Sequence, residues 1–305
     1  MAELIRLELV LALMALVGFF LQKCGILTSE GRKCLTDLIM DVLLPCNIFL
    51  SFLGSGGLEI LKYSMITVVL GIVVIVGSSV IAWFLYRKMP GERRAVFLYG
   101  IANSNAIFVG LPIIESLLGA DGVLQHAMYM IFDRVYIWTY ALSLYTGSQG
   151  SRLDAAKRLV KQPALIAAML GIAAMLVGLE LPAFLRDTMQ YFSRCVTPMS
   201  MLLVGTVLTG LKVKDIFRWD VWGFCGLRLL LLPGLALLLC RLLGTPYIVS
   251  ATCVLMTGMP AASMTAVLAL RYQVDERTAA SVVALSTVLS AVTIPMWFTV
   301  LQWLW

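Results

Sequence analysis

Ten apolar stretches of helix length, most of them nearly free of charge, take up most of the 305 residues. They lie near residues 3–21, 35–53, 63–86, 95–118, 123–146, 163–181, 188–210, 219–241, 247–270 and 277–303. At about 1.5 Å per residue these lengths suit a hydrocarbon core of roughly 30 Å, with some tilt. In lipid the backbone must satisfy its own polar groups, so the pattern predicts an all-α polytopic membrane protein. Composition agrees: 61% of the residues are apolar and 13% charged, against about 25% charged in soluble domains. This composition argues against a water-soluble enzyme and excludes a disordered chain, and residues 1–305 read as one membrane domain.

The net charge of +6 is explained by loops rather than by nucleic acid, which is not expected as a partner. Lys23, Arg32 and Lys33 fall on one side, as do Arg87, Lys88, Arg93 and Arg94. Arg152, Lys157, Arg158 and Lys161 join them, then Lys212, Lys214 and Arg218, then Arg271 and Arg277. The other side holds only Lys62, Arg186 and Arg241. This bias makes the first side cytoplasmic and puts both termini on the opposite one. The N-terminus, with Glu3, Arg6 and Glu8, reads as the first spanning helix and not as a removed signal. The seven cysteines follow no metal or redox spacing and read as free thiols.

Landmarks repeat at half the chain length. Pro45 and Pro198 are 153 residues apart, and Asp121 and Asp275 are 154 apart. Five helices per half puts the halves in opposite orientations, which is the inverted-repeat plan of many secondary transporters. The expected halves are 1–146 and 163–305, joined by a polar, basic linker at 147–162.

Helix 4 contains Asn103-Ser104-Asn105 and then Gly110 and Pro112; helix 9 contains Gly258, Pro260 and Ser263. Gly and Pro weaken a helix, and broken backbone is tolerated at membrane depth only where protein or water satisfies it. Two interruptions at corresponding mid-membrane positions point to a binding site, where half-helix N-termini aim positive dipole ends at an anion. Asn103, Ser104 and Asn105 could present polar groups to a carboxylate, the alternative being hydrogen bonding between helices. Gly110, Pro112, Gly258 and Pro260 are the expected crossover and hinge positions.

Asp133 and Arg134 fall at the centre of helix 5, where a charge costs at least about 2.5–3.5 kcal/mol and should face a cavity or partner. Neighbours on a helix point about 100° apart, so the two cannot neutralise each other side by side. Arg134 is the expected counter-charge for an anion and Asp133 a tuning or proton-coupling group. The alternative is a static buried pair with Arg228 in helix 8 or with another charge. Arg194 and Glu115 are expected in structural salt bridges, and His126, the single histidine, at the outer interface. Trp297, Trp303 and Trp305 read as an aromatic belt. No metal site, cofactor or soluble-enzyme motif is expected, and Asp133 lacks a second mid-membrane aspartate for a catalytic dyad.

The segment from Gly18 to Leu53, with Lys23-Cys24-Gly25-Ile26-Leu27 and Leu43-Leu44-Pro45-Cys46-Asn47-Ile48-Phe49, resembles the auxin efflux carrier family. So do Asn103 through Pro112 and the late segment from Ser286-Thr287 to Pro295. With no large central loop, the chain is more similar to the bacterial members, which implies the inner membrane. The resemblance implies a five-plus-five inverted fold like that of sodium/proton antiporters and bile-acid transporters. Helices 4 and 9 would cross at the substrate, and a transport domain would move by elevator motion against a scaffold of helices 1, 2, 6 and 7. Helices 2 and 7 would form a homodimer contact. Family substrates are organic anions, including malonate and indole-acetate. A carboxylate-holding asparagine maps onto Asn103 or Asn105, and Arg134, one turn before Trp138, replaces an uncharged polar residue.

The expected function is secondary transport of a small organic anion, with Asn47 also counted among the binding residues. Protons are one candidate coupling ion, and membrane lipids are the remaining partners. The alternatives are a membrane sensor that binds a lipid or metabolite without moving it, and a sodium-coupled symporter of bile-acid type.

Overall fold

The computed structural model describes residues 2–54, 58–141, 143–146, 163–209 and 218–305. The expected linker 147–162, with its four basic residues, lies outside the described residues, as do Lys212 and Lys214. The described chain is nearly all helical, and its single β-type pairing joins Ser104 to Ala261. The helices are α1 (Ala2–Lys23), α2 (Ser29–Leu38), α3 (Leu44–Gly54), α4 (Leu58–Leu85), α5 (Gly91–Ala102) and α6 (Leu111–Tyr136). There follow α7 (Ser143–Thr146), α8 (Pro163–Val177), α9 (Ala183–Arg194), α10 (Val196–Leu208) and α11 (Trp219–Gly226). The last four are α12 (Leu232–Leu242), α13 (Tyr247–Gly258), α14 (Met264–Tyr272) and α15 (Glu276–Leu304). Among the described residues five stretches are long and apolar enough to cross a membrane, and Leu9–Lys23, Pro163–Val177 and Tyr247–Gly258 are shorter apolar helices.

Helix starts follow local chemistry. The Thr28 hydroxyl accepts the Gly31 amide at 3.1 Å, so α2 begins at Ser29, six residues before the apolar run at 35. Its first turns are polar and therefore invisible to a hydropathy reading. Pro90, Pro182 and Pro246 immediately precede α5, α9 and α13. The expected single helix 188–210 is instead two, α9 and α10, divided at Cys195.

Prolines also set where helices widen. π-helical turns occur at Ile39–Leu43, Ala106–Gly110 and Leu227–Leu231, each ending two residues before a proline: Pro45, Pro112 and Pro233. A proline has no N–H for the carbonyl four residues back, and its ring crowds that carbonyl. The helix accommodates by bonding over five residues: Leu44, Leu111 and Leu232 donate to Ile39, Ala106 and Leu227. A fourth π turn, Ile137–Ala141, has no proline after it.

The element α6 is two helices, kinked at Gly119, whose φ is 63°. A straight helix would separate Ala106 from His126 by about 30 Å. The His126 Nε2 lies 3.0 Å from the Ala106 carbonyl oxygen, so the chain folds back at this glycine. Hence 106–133, long enough to cross once, forms two arms side by side.

Glycines bring two helix pairs into close contact. A Cβ on Gly205 of α10 would overlap the Ala15 carbonyl of α1, and one on Gly18 would overlap the Leu202 carbonyl. A Cβ on Gly171 of α8 would lie 2.6 Å from the Phe52 ring of α3. Small residues let spanning helices approach this way where no hydrophobic force separates lipid from core. A second group packs around α6: α4 and α13 against it, α12 and α15 against α13. The outer face is itself apolar, with Leu13, Met65, Phe84, Met169 and Val292 exposed, as a lipid-facing surface requires.

An ionic cluster ties the N-terminal ends of α5, α11 and α15. Arg93 Nε donates to Asp275 at 3.2 Å, and Arg218 grips Asp220 through two nitrogens at 3.1 and 2.6 Å. Arg218 also donates to the Thr278 hydroxyl at 3.0 Å. Burial pushes the Asp275 carboxyl up, but hydrogen bonds from Thr278 and the Arg93 guanidinium outweigh it and hold the group below its ordinary value. A depressed carboxylate stabilises the fold above its unfolded pKa, and the contribution vanishes as pH falls through the folded value. Asp275→Asn should therefore lower the melting midpoint of the detergent-solubilised protein at neutral pH. Its deficit against wild type should close below about pH 4. A deficit constant with pH would assign the effect to the helix cap alone.

Candidate functional site

The interruptions foreseen in helices 4 and 9 meet. α5 ends at Ala102, and Asn103 turns out of the helix into extended backbone. α13 ends at Gly258, and Met259 does the same. The two loosened segments then pair antiparallel: Asn105 N–H donates to the Pro260 carbonyl at 2.8 Å, and Ala262 N–H to the Asn103 carbonyl at 3.1 Å. Broken backbone at this depth is thus satisfied by its counterpart. The Ala261 N–H is taken by the Ser286 hydroxyl at 3.1 Å, and the Asn105 side chain donates to Ser263 at 3.1 Å. Asn103 is fully buried; its amide donates to the Tyr99 carbonyl at 3.0 Å, while its Oδ1 has no hydrogen-bond partner.

Four helix ends converge on this pairing. The C-terminal ends of α5 and α13 carry carbonyls without helical partners, each a concentration of partial negative charge. Arg228 answers both: its Nε donates to the Met259 carbonyl at 3.0 Å and its Nη1 to the Ile101 carbonyl. Arg228 is only 3% exposed and sits in the π turn before Pro233. The Leu229 carbonyl, for which Pro233 has no N–H to offer, takes the Trp297 indole N–H at 2.8 Å. Trp297 is therefore an internal brace and not part of an interfacial belt.

Asp133, 3% exposed, and Ser104 line a small cavity with Arg228, Tyr129 and Thr257, with room for about one water molecule. Asp133 and Arg228 thus face one cavity. The next residue, Arg134, lies on the described helix one turn beyond Met130, but its side chain falls outside the described residues. Met130 and His126 line a second pocket, narrow and otherwise apolar, with Leu44 and Ile48 of α3, Ile107, and Ala168 of α8. His126 is 1% exposed, a correction to the expected interfacial placement. The chain turns on the single residue Gly119, so helix 5 starts earlier than its hydropathy suggests and carries His126 inward.

Other expected residues are placed as follows. Gly110 faces Met259 and Met256, where a Cβ would sit 3.3 Å from the Met259 Cγ, and Pro112 is buried just beyond. Gly258 packs against Pro233 and Trp297. Asn47 donates to Glu115 Oε1 at 3.0 Å and to the Ser193 hydroxyl at 2.8 Å. Glu115 is thus met by an amide rather than by the expected cation, and among the described residues no salt bridge includes it or Arg194. All seven cysteines are free thiols. The role of Arg228 escaped the sequence reading. Its signal was a lone arginine inside a leucine run, five residues before a proline.

A helical body with an apolar exterior and two interrupted helices joined at its centre is an integral membrane protein. The chain belongs to the membrane transport protein family, that of the auxin efflux carriers, whose profile matches residues 6–157 and 151–298. An "Uncharacterized transporter" of Methanothermobacter thermautotrophicus is 28% identical over 302 residues, covering 96% of this chain and 98% of the relative. The "Uncharacterized transporter YfdV" of Escherichia coli K12 is 26% identical over 301 residues, covering 93% of each chain. A Rhizobium meliloti protein named "Putative malonate transporter" is 23% identical over 305 residues, covering 96% of this chain and 94% of the relative.

Proposed function

We propose that this protein is a secondary transporter for a small carboxylate, of the size of malonate or carrying a ring like indole-acetate. The observation that carries this reading is the pairing of the two interrupted helices with Arg228 on both C-terminal ends. With the negative ends answered, the N-terminal turns beginning at Ala106 and Met264 leave positive dipole at the crossing, beside the Asn105 amide and the Ser263 hydroxyl. The apolar pocket beside His126 would take the carbon skeleton, and Arg134, by its position on the same helix, the carboxylate charge. Asn103 and Ser104 complete the binding region, Asp133 tunes it, and Gly110, Pro112, Gly258 and Pro260 serve as hinges. The Rhizobium relative's name agrees with a dicarboxylate.

The reading extends to ten spanning helices in two inverted repeats. Gly18 and Gly171 stand 153 residues apart, the spacing of Pro45 and Pro198, and each lies against a helix of the other half. Helices α1, α3, α8 and α10 would form a fixed scaffold, and the group around α6 and α13 would move against it as an elevator. Phe184 and Tyr191, exposed on α9, extend a homodimer contact along helices 2 and 7.

Proteoliposomes jumped to malonate or indole-acetate should give a saturable current or tracer flux. Asn105→Ala and Arg134→Ala should each lose most of it while eluting as folded protein. Wild-type flux in both variants would overturn the site assignment; no flux of any carboxylate in wild type would overturn the substrate class.

A further inference from the structure

We propose that Arg228 is a tethered cation occupying the place a coupling metal ion would take, so that the protein works without sodium. The word coupling rests on the transport reading above, but the site does not. In proteins with broken spanning helices, unwound carbonyls and half-helix C-terminal ends are the groups that coordinate a monovalent cation. Here those groups are the Ile101 and Met259 carbonyls, and both receive hydrogen bonds from one guanidinium. The same arginine also lines a small cavity with Asp133, Ser104 and Thr257. Around this one guanidinium the chain gathers two bonded carbonyls and three residues with oxygen-bearing side chains, the ligand chemistry of a hard cation.

The guanidinium fills that set from the α11–α12 side, leaving about one water's worth of room. A sodium ion in that remaining space would stand against the guanidinium in a buried site, where like charges repel strongly. Its charge is also of the right sign and place, since each C-terminal end carries roughly half a negative charge. The π turn before Pro233 holds Arg228 at this depth, so the charge is supplied by the chain and need not be collected from solution.

Removing the side chain should turn a built-in cation into a soluble requirement. Purified Arg228→Gly in detergent should melt lower than wild type, and millimolar guanidinium chloride should restore much of the loss. Sodium chloride should restore part of it, choline chloride none, and wild type should respond to none of the three. Equal responses of wild type and variant to guanidinium, or no response of either, would overturn the proposal. If Arg228→Gly fails to fold, wild type decides alone. Radioactive sodium should show no saturable binding to it, and saturable binding would overturn the proposal. Neither readout uses substrate, so a failure of the transport reading would show separately, as absent carboxylate flux with the cation responses intact.

Discussion

Gly205→Leu should separate α1 from α10 and lower the melting midpoint sharply. The Gly205 Cα stands so close to the Ala15 carbonyl that no Cβ fits without the backbones moving apart. Overpacking of a side-chain contact costs about 1–3 kcal/mol and more when the obstacle cannot rotate away. Here the obstacle is main chain, and Gly18 makes the reciprocal approach to Leu202. A loss of about 3 kcal/mol corresponds to a fall of roughly 6–12 °C in a chain somewhat smaller than this one. Gly77→Ala is the control, because a Cβ there meets nothing within 4 Å. That change should be neutral or stabilising, since alanine outranks glycine by about 1 kcal/mol in a helix. Equal midpoints for Gly205→Leu and wild type would show that the close approach is not rigid.

Arg228→Met should be comparably severe for a different reason. The volume is roughly kept, so the change removes charge and donors without opening a large void. The Ile101 and Met259 carbonyls then lose their partner at the buried crossing, and Asp133 loses the cation beside it. Removing one partner from a buried charge group costs about 3–5 kcal/mol. Loss of stability with loss of flux is the expected result, read from thermal melting and tracer uptake on one preparation. A variant as stable as wild type would mean that the two helix ends are satisfied without the arginine.

Most of the helical framework was legible because lipid imposes a simple rule, a long apolar run. Where the run and the helix part company, the reading failed. α2 starts in polar sequence at Ser29, and α9 is separated from α10 at Cys195 inside what reads as one stretch. The interruptions at Asn103–Asn105 and Met259–Ser263 were legible because glycine, proline and consecutive polar residues are costly in a spanning helix. Their backbone pairing was not, since main-chain partners leave no mark on side-chain identity. Glu115 was misjudged in its partner, because the Asn47 amide reaches it from 68 residues away in the chain. His126 was misjudged in its depth, which was inferred from distance along a helix, whereas the one-residue reversal at Gly119 folds it back beside the Ala106 carbonyl.

The three proline-linked π turns have a consequence for how these helices can change. Each holds one residue more than a regular helix needs, so removing that residue leaves a helix that is still continuous. What changes is phase: every side chain on one side of the deletion rotates about 100° relative to the other side. In the helix pair α11 and α12, such a deletion would turn Arg228 or Trp297's partner Leu229 away from the crossing without shortening the span by more than about 1.5 Å. The extra residue therefore works as an angular offset, letting one half of a rod address the crossing while the other keeps its own packing face.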